Sequence, residues 1–343
     1  MSKACLPRRR FIGITAAAAG MALLPLRFGE ALAREASPRL RVWRGTALGA
    51  DATLQIHHPD ADLADRLIQR SIAEVHRLER IFSLYRRDSA ISVLNGQGFL
   101  ADPPTDFVQL LAHAEHFSRL TDGAFDATVQ PLWRLYAAHF GQPRPDPSGP
   151  SDHARLAAVA AVGHTGVEFG AGGVRFHRAG MGLTLNGIAQ GYITDRIAEL
   201  LLNSGIDQAL VDMGEIKALG SRPDGGPWEV GLEDPTSPDR IVQTLPIRNL
   251  AVATSGGYGT RFDVAGHFNH IFDPANGMTS SRYLSVSVVA PRATDADALS
   301  TAFSLMPLER TQQIVGQLGI TAYFTLPDGS RLRQTFEDRA ARV

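Results

Sequence analysis

The chain has 343 residues, 44% hydrophobic, 20% charged and 7% aromatic, with 33 glycines and 20 prolines. This is an ordinary globular composition; it excludes collagen-like, disordered and coiled-coil classes, and the length allows one large domain or two of ordinary size. A net charge of −1 leaves no basic footprint for nucleic acid, and the single cysteine, Cys5, can build neither a disulfide framework nor a thiolate metal site.

The first element is an export signal. Arg8, Arg9 and Arg10 precede Phe11 and Ile12, small apolar residues fill 13–26, and Ala31-Leu32-Ala33 is a small-x-small pattern. A charged region, a short apolar region and a cleavage site make a signal peptide over 1–33, and the Arg-Arg-x-Phe-Ile order is that of the twin-arginine route. The apolar run is too short and too rich in Ala and Gly to span a bilayer. Residues 1–33 carry Lys3, Arg8, Arg9, Arg10 and Arg27 against Glu30, a net +4, so the mature chain 34–343 carries −5 and no cysteine. A cysteine-free chain suits an oxidising compartment such as a periplasm.

Leu63, Leu67, Ile68, Ile72, Val75, Leu78 and Phe82 recur at helical steps and predict a helix over 61–82. Just beyond it stand Ser83, Leu84, Tyr85, Asp88, Ser89, Ile91 and Asn95, where Tyr85 either stacks on a heterocycle or buries its ring. A second helix is predicted over 107–120. Residues 121–132 (TDGAFDATVQPL) read as a turn braced by Asp side chains or as a wall for an aromatic ligand. Pro and Gly make 141–151 a loop that separates two lobes without dividing the chain. A third helix is predicted over 187–202, and two more start near 294 and 308. Strands are predicted at 53–57, 209–212, 228–232, 250–253, 283–290 and 321–325. Helices and strands do not alternate one for one, so the fold class is α+β rather than a doubly wound parallel sheet. No repeat at a solenoid period is visible.

Further segments can carry chemistry, most of them with a plain structural alternative. In 184–192 (TLNGIAQGY), Asn186 is a good N-cap and Gly187 and Gly191 clear the helix start, which suits a phosphate or close packing. In 294–301 (TDADALST), Asp297 and Thr301 share a helix face and can aim oxygen at a hard cation, while Thr294 and Asp297 match a capping box. Residues 253–258 (ATSGGY) end an apolar strand in a loop of the kind whose N–H groups meet phosphate oxygens. His270, followed by apolar Ile271 and Phe272 in 270–274, is the best general-base candidate, or else a structural histidine.

Taken in order, these segments resemble the ApbE-type flavin transferases. The resemblance is carried by Phe82-Ser83-Leu84-Tyr85 with Asp88-Ser89, by 122–129 with Pro131-Leu132, and by Gly187-Ile188-Ala189-Gln190-Gly191-Tyr192 with Asp195. It continues through 228–235 (WEVGLEDP), 253–256 (ATSG), 270–274 (HIFDP) and 297–301 (DALST), and so covers nearly all of the mature chain. It implies an ApbE-like fold of mixed sheets and packed helices, with FAD bound in a cleft between two lobes. The implied reaction splits the FAD pyrophosphate with Mg²⁺, releases AMP and joins FMN through its phosphate to a threonine of a target flavoprotein.

The resemblance also implies roles. Asp297 and Thr301, with the carbonyl of Ala189, become the magnesium ligands. Tyr85, Phe125, Asp126, Thr128, Asn186, Gly187, Ala189, Gln190, Asp195 and Ser255 become cofactor contacts, and His270 deprotonates the acceptor threonine. Several positions depart from the family pattern. Thr184, Asn186 and Gln190 replace its usual Asp, Gly and Lys, and Gly214-Glu215-Ile216 stands where Gly-Gly-Asp is usual. Leu-Asn-Gly-Ile-Ala-Gln-Gly-Tyr, together with Asp-Met-Gly-Glu-Ile at 212–216, resembles the NosX-like branch of nitrous-oxide reduction, whose members leave by the twin-arginine route. That branch implies a membrane-bound, NosR-like target. The competing readings are a periplasmic carrier that binds FAD without cleaving it, and an exported solute-binding protein for another ligand.

Overall fold

The structure is a computed structural model and describes residues 39–336. The export signal expected over 1–33 lies outside the described residues. In chain order the elements are β1 (Arg39–Ala47), β2 (Ala50–His58), α1 (Ala61–Phe82), α2 (Ala90–Gln97), β3 (Phe99–Leu100), α3 (Thr105–Leu120), α4 (Gln130–Phe140), α5 (Asp152–Val159), β4 (Val167–Gly170), β5 (Gly173–Phe176) and α6 (Ala189–Leu202). They continue with β6 (Ala209–Asp212), β7 (Ile216–Leu219), β8 (Trp228–Asp234), β9 (Ser237–Ile247), β10 (Ala251–Ser255), β11 (Ser285–Ala290), α7 (Ala293–Phe303), α8 (Leu308–Leu318), β12 (Thr321–Thr325) and β13 (Arg331–Thr335).

Eight strands form one sheet in the order β1-β2-β6-β7-β10-β11-β12-β13. Every pair in it is antiparallel, so the mixed sheets expected from the sequence resolve into antiparallel ones. The α+β class stands. One face of the sheet meets the helices: Leu54, Val211, Ala253 and Val288 pack with Leu67 and Leu78 of α1, Ile193 and Ile197 of α6, and Leu299 and Phe303 of α7. The other face is covered by the β8–β9 hairpin, whose Trp228, Val230, Leu245 and Ile247 pack on Leu210, Ala218 and Val252. Residues 210 and 211 therefore serve opposite cores. This is why Ala209-Leu210-Val211 of β6 is continuously apolar rather than alternating.

A third cluster gathers Leu132 and Tyr136 of α4 with Val162 and Phe272. The Tyr136 hydroxyl donates to the Gly277 carbonyl at 3.0 Å, tying α4 to the 270s. The helix predicted over 61–82 is α1, started by Asp60, whose carboxylate accepts from the Leu63 N–H at 2.9 Å. Three helices had no clear signal in the sequence. α2 is only eight residues long, started by Ser89, and α4 carries Pro131 in its first turn, where the missing N–H costs nothing. α5 buries no residue. β1 and β13 are partly exposed strands rich in Arg, and among its described residues β9 buries Leu245 and Ile247. Among the described residues no helix is long and apolar enough to cross a membrane.

Candidate active site

A cleft of about 380 Å³ opens where α6, α7 and the end of β10 meet the third cluster, a size common for ligand sites. Of the residues singled out in the sequence, Tyr85, Phe125, Asp126, Asn186, Gly187, Gln190, Ser255, His270, Asp297 and Thr301 line it. Thr128, Ala189 and Asp195 are not among the lining residues.

The helical side is built by close approach. A Cβ on Gly187 would lie 2.9 Å from Thr301 Oγ1, and one on Gly191 would lie 2.3 Å from the Ala293 carbonyl oxygen, so both positions need glycine. Asp297 is buried, and its Oδ2 accepts from the Gly191 N–H at 3.0 Å. Ser255 Oγ lies 2.8 Å from Ser300 Oγ and 3.2 Å from Thr301 Oγ1. A carboxylate and a chain of hydroxyls are hard oxygen donors, which fit Mg²⁺. Among the described residues no group of three or more His, Cys, Asp or Glu could hold a metal. A cation here would therefore complete its shell from hydroxyl, main-chain and solvent oxygens.

Two local expectations fail for the same reason. Asn186 does not cap α6: the N-cap is Ile188, without a side-chain hydrogen bond, and Asn186 only donates its N–H to Thr184 Oγ1 at 3.4 Å. Nor do Thr294 and Asp297 form a capping box, because α7 starts after Arg292, again with no cap of its own. Packing supplies the caps from elsewhere. Asp195, expected at the cofactor, accepts from the Ala293 and Thr294 N–H groups at 3.0 and 2.9 Å and from Thr294 Oγ1 at 2.7 Å. It also pairs with Lys217 Nζ at 2.8 Å. Burial pushes the Asp195 carboxyl up, but Lys217 and the Thr294 donors outweigh it and hold the group below the usual range. Ala189, the first residue of α6, is buried, so only its main chain can take part in binding.

The other side of the cleft comes from loops. Asp126 Oδ1 accepts from the Thr128 N–H at 2.8 Å and from Thr128 Oγ1 at 2.6 Å, while its Oδ2 accepts from the His164 N–H at 2.9 Å. Thr128 Oγ1 accepts from the Gly163 N–H at 2.7 Å. Thr128 is thus a buried clamp that holds Asp126 at the cleft. His270 Nδ1 lies 3.3 Å from the Thr260 carbonyl. A carbonyl only accepts, so the neutral ring keeps its proton on Nδ1 and presents Nε2 as the basic nitrogen.

Three acidic residues line the cleft besides Asp297: Asp126, Glu215 and Glu233. Among the described lining residues there is no lysine or arginine. Burial first, then the Glu233 and Glu215 charges, push the Tyr258 phenol up to about 12, so it stays protonated as a donor. Gln190 is buried against Gly214, where a Cβ would lie 2.1 Å from its Nε2 and where φ is +102°. Leu48 and Gly49 form the β1–β2 turn at φ 47° and 83° and also line the cleft. A leucine at positive φ is strained and needs a tie; the Leu48 N–H donates to Glu79 Oε1 at 2.9 Å. Reading the sequence missed Glu215, Glu233, Trp133 and Tyr258 as site residues. For Glu215 the available signal was an acid following a glycine between two buried apolar strands.

The ApbE family pattern matches residues 48–324. The chain is 33% identical to an FAD:protein FMN transferase of Treponema pallidum over 297 residues, 76% of this chain and 80% of that one. It is 28% identical to an FAD:protein FMN transferase of Salmonella typhimurium over 304 residues, 86% of each. The crystal structure of the flavinyl transferase ApbE of Pseudomonas stutzeri superposes with a TM-score of 0.75 at 26% identity, covering 88% of this chain and 98% of that one. The ApbE protein of Thermotoga maritima gives 0.77 at 26% identity, covering 89% and 100%.

Proposed function

We propose, from the premise that this chain belongs to the ApbE family and is an FAD:protein FMN transferase, that it works outside the cytoplasm with Mg²⁺ on a membrane-bound, NosR-like flavoprotein. The reaction breaks the P–O–P bridge of FAD, with AMP leaving, and forms a phosphoester between the FMN phosphorus and a threonine oxygen of the target. The observation that carries this reading is one cleft lined by Asp297, Thr301, Ser255 and His270.

The chain's own residues divide the work. Phosphoryl transfer depends mainly on positioning and on stabilising charge. Asp297 and Thr301 would hold the cation, with the main-chain oxygen of Ala189 as a further ligand, and Ser255 and the α6 start at Gly187 would orient the phosphates. Magnesium bound there supplies positive charge to a pyrophosphate in a cleft lined by carboxylates. Phe125 and Tyr85 offer ring faces to the flavin or adenine. His270 Nε2 takes the proton of the acceptor hydroxyl as that oxygen attacks phosphorus. Export is supported by the Arg-Arg-x-Phe-Ile pattern ahead of Ala31-Leu32-Ala33, with 34–343 as a single transferase domain. The NosR-like target is supported by 184–192 taken with 212–216.

The test mixes the mature protein with FAD, Mg²⁺ and either the periplasmic domain of a NosR-like protein or a generic family acceptor. In-gel flavin fluorescence of the NosR-like band, with stoichiometric AMP, is the expected result. Labelling of the generic acceptor alone removes the NosR assignment. FAD bound with neither AMP nor a labelled band replaces the transferase with the carrier reading.

A further inference from the structure

Helices α6 and α7 both start without a cap of their own, since the side chains of Ile188 and Arg292 accept no hydrogen bond at the N-cap. The first N–H groups of a helix need acceptors, and here each helix takes one from the other. Asp195, in the second turn of α6, accepts from the Ala293 and Thr294 main chain and from the Thr294 hydroxyl at the head of α7. Asp297, in the second turn of α7, accepts from the Gly191 N–H at the head of α6. Two carboxylates thus exchange caps between helices. Gly191 lets the two helix starts meet, because any side chain there would strike the Ala293 carbonyl. Asp195 is 1% exposed and is itself held by Lys217 of β7 and by Arg292 Nε at 3.6 Å.

We propose that Asp195 is a positioning residue for Asp297: by capping α7 from α6 it fixes the turn that presents the Asp297 carboxylate both to the Gly191 N–H and to the cleft. The proposal rests on the reading of Asp297 as a cation ligand. Thr294 is three residues before Asp297, so a shift of the capped turn moves that carboxylate with it. A purely structural Asp195 would lower stability when removed and leave cation binding alone. A positioning Asp195 changes both.

The test uses the whole mature protein and Mn²⁺ as a paramagnetic probe, titrated by electron spin resonance. Groups that orient metal ligands are worth about 10–100-fold in metal affinity, and Asp195→Ala is expected to raise the Mn²⁺ dissociation constant by that factor. Asp195→Asn keeps one capping oxygen but turns the other into a donor and loses the Lys217 pair, so it is expected to recover only part of the loss. Hydrogen exchange at the Gly191 amide should quicken in Asp195→Ala, although its direct partner Asp297 is intact. As a control, Gln334→Ala removes a buried partner of Thr311; it should lower stability without moving Mn²⁺ affinity or Gly191 exchange. If Asp195→Ala does not fold, Thr294→Val carries the test, with a smaller loss in the same direction. Mn²⁺ binding and Gly191 exchange unchanged in Asp195→Ala or Thr294→Val would overturn the proposal. If the unmodified protein shows no Mn²⁺ binding that Asp297→Ala abolishes, the metal reading itself fails and takes the proposal with it.

Discussion

The two parts of the chain that line the cleft are held by different means. The α6–α7 junction is cross-capped by buried carboxylates and closed by Gly191 at backbone contact and by Gly187 against the Thr301 side chain. The 256–280 segment, which brings His270, carries one short 3-10 turn at Gly257–Gly259 and the isolated bridges Arg261 to Asn269 and Phe272 to Thr279. Apart from the Tyr136 tie at Gly277 and the Ser280 bond to the Ser304 carbonyl, it is shaped by short-range bonds from side chain to main chain. Asp263 accepts from the Phe268 and His267 N–H groups at 2.8 and 3.1 Å, Asn269 Nδ2 donates to the Ser280 carbonyl at 2.7 Å, and Asp273 accepts from the Ala275 N–H at 2.9 Å. The difference fits a division of labour. Phosphates and a cation need fixed geometry, which packed helices supply. A polypeptide acceptor must enter and leave, and loops on a rigid scaffold accommodate that at lower local stability.

The largest expected effect breaks the helical side. Asp297→Ala should lower flavin transfer by about 10³-fold or more, since the charge placed on the pyrophosphate is worth several kcal/mol; AMP release at limiting Mg²⁺ measures it, and full activity there would cancel the metal assignment. On the loop side, His270→Ala should slow transfer by about 10²–10⁴-fold, the range for a lost general base, while FAD affinity by fluorescence quenching holds. Equal losses in both would make His270 a binding residue.

The third prediction concerns pH. Asp212, at the end of β6, is buried, and desolvation first, with Asp51 adding to it, pushes its carboxyl up to about 7 against the Gly214 N–H bond. The folded form keeps its proton to about pH 7, while the unfolded chain loses it near 4. Folding therefore takes up a proton, and stability falls as pH rises from about 4 to about 7, then levels. Asp212→Asn should flatten that fall, by on the order of 2–4 kcal/mol in urea unfolding. A slope unchanged by the substitution would show that Asp212 is ionised in the fold. Gly191→Ala should cost about 1–3 kcal/mol by overpacking, read as a lower Tm together with weaker Mn²⁺ binding. Asp263→Ala should cost only about 1 kcal/mol; a loss as large as that of Gly191→Ala would erase the contrast between the two sides.

Much of the frame was legible before any tertiary contact was known. The 61–82 periodicity coincides with α1, and the β-rich runs at 209–212 and 321–325 coincide with β6 and β12. These elements advertise themselves because one face or both faces are buried along their whole length. β9 and β13 did not, since partly exposed strands carry Arg, Asp and Gln that any loop would tolerate. In the cleft, Asp297, Thr301, Ser255 and His270 were legible as chemistry-bearing types in a recognisable order. Glu233 was not, because nothing local tells an acid facing a cleft from an acid facing water; for Glu215 the one local sign was its place after a glycine between two strands.

What the sequence determined by itself is the set of local commitments. These are the helix stripes, the glycines at 187 and 191, the Asp-x-Thr at 126–128, and a motif order specific enough to place the chain among flavin transferases. Only the tertiary structure decided which group answers which. Local reading paired Thr294 with Asp297 and gave α6 to Asn186, choosing the nearest partner in each case. In the fold, Asp195 answers Thr294 across 99 positions, and Asp297 answers Gly191 across 106. The reason is physical. A helix start accepts any oxygen that packing brings to its free N–H groups, and where two helices meet over a glycine, the oxygen of the neighbour arrives in place of the local cap.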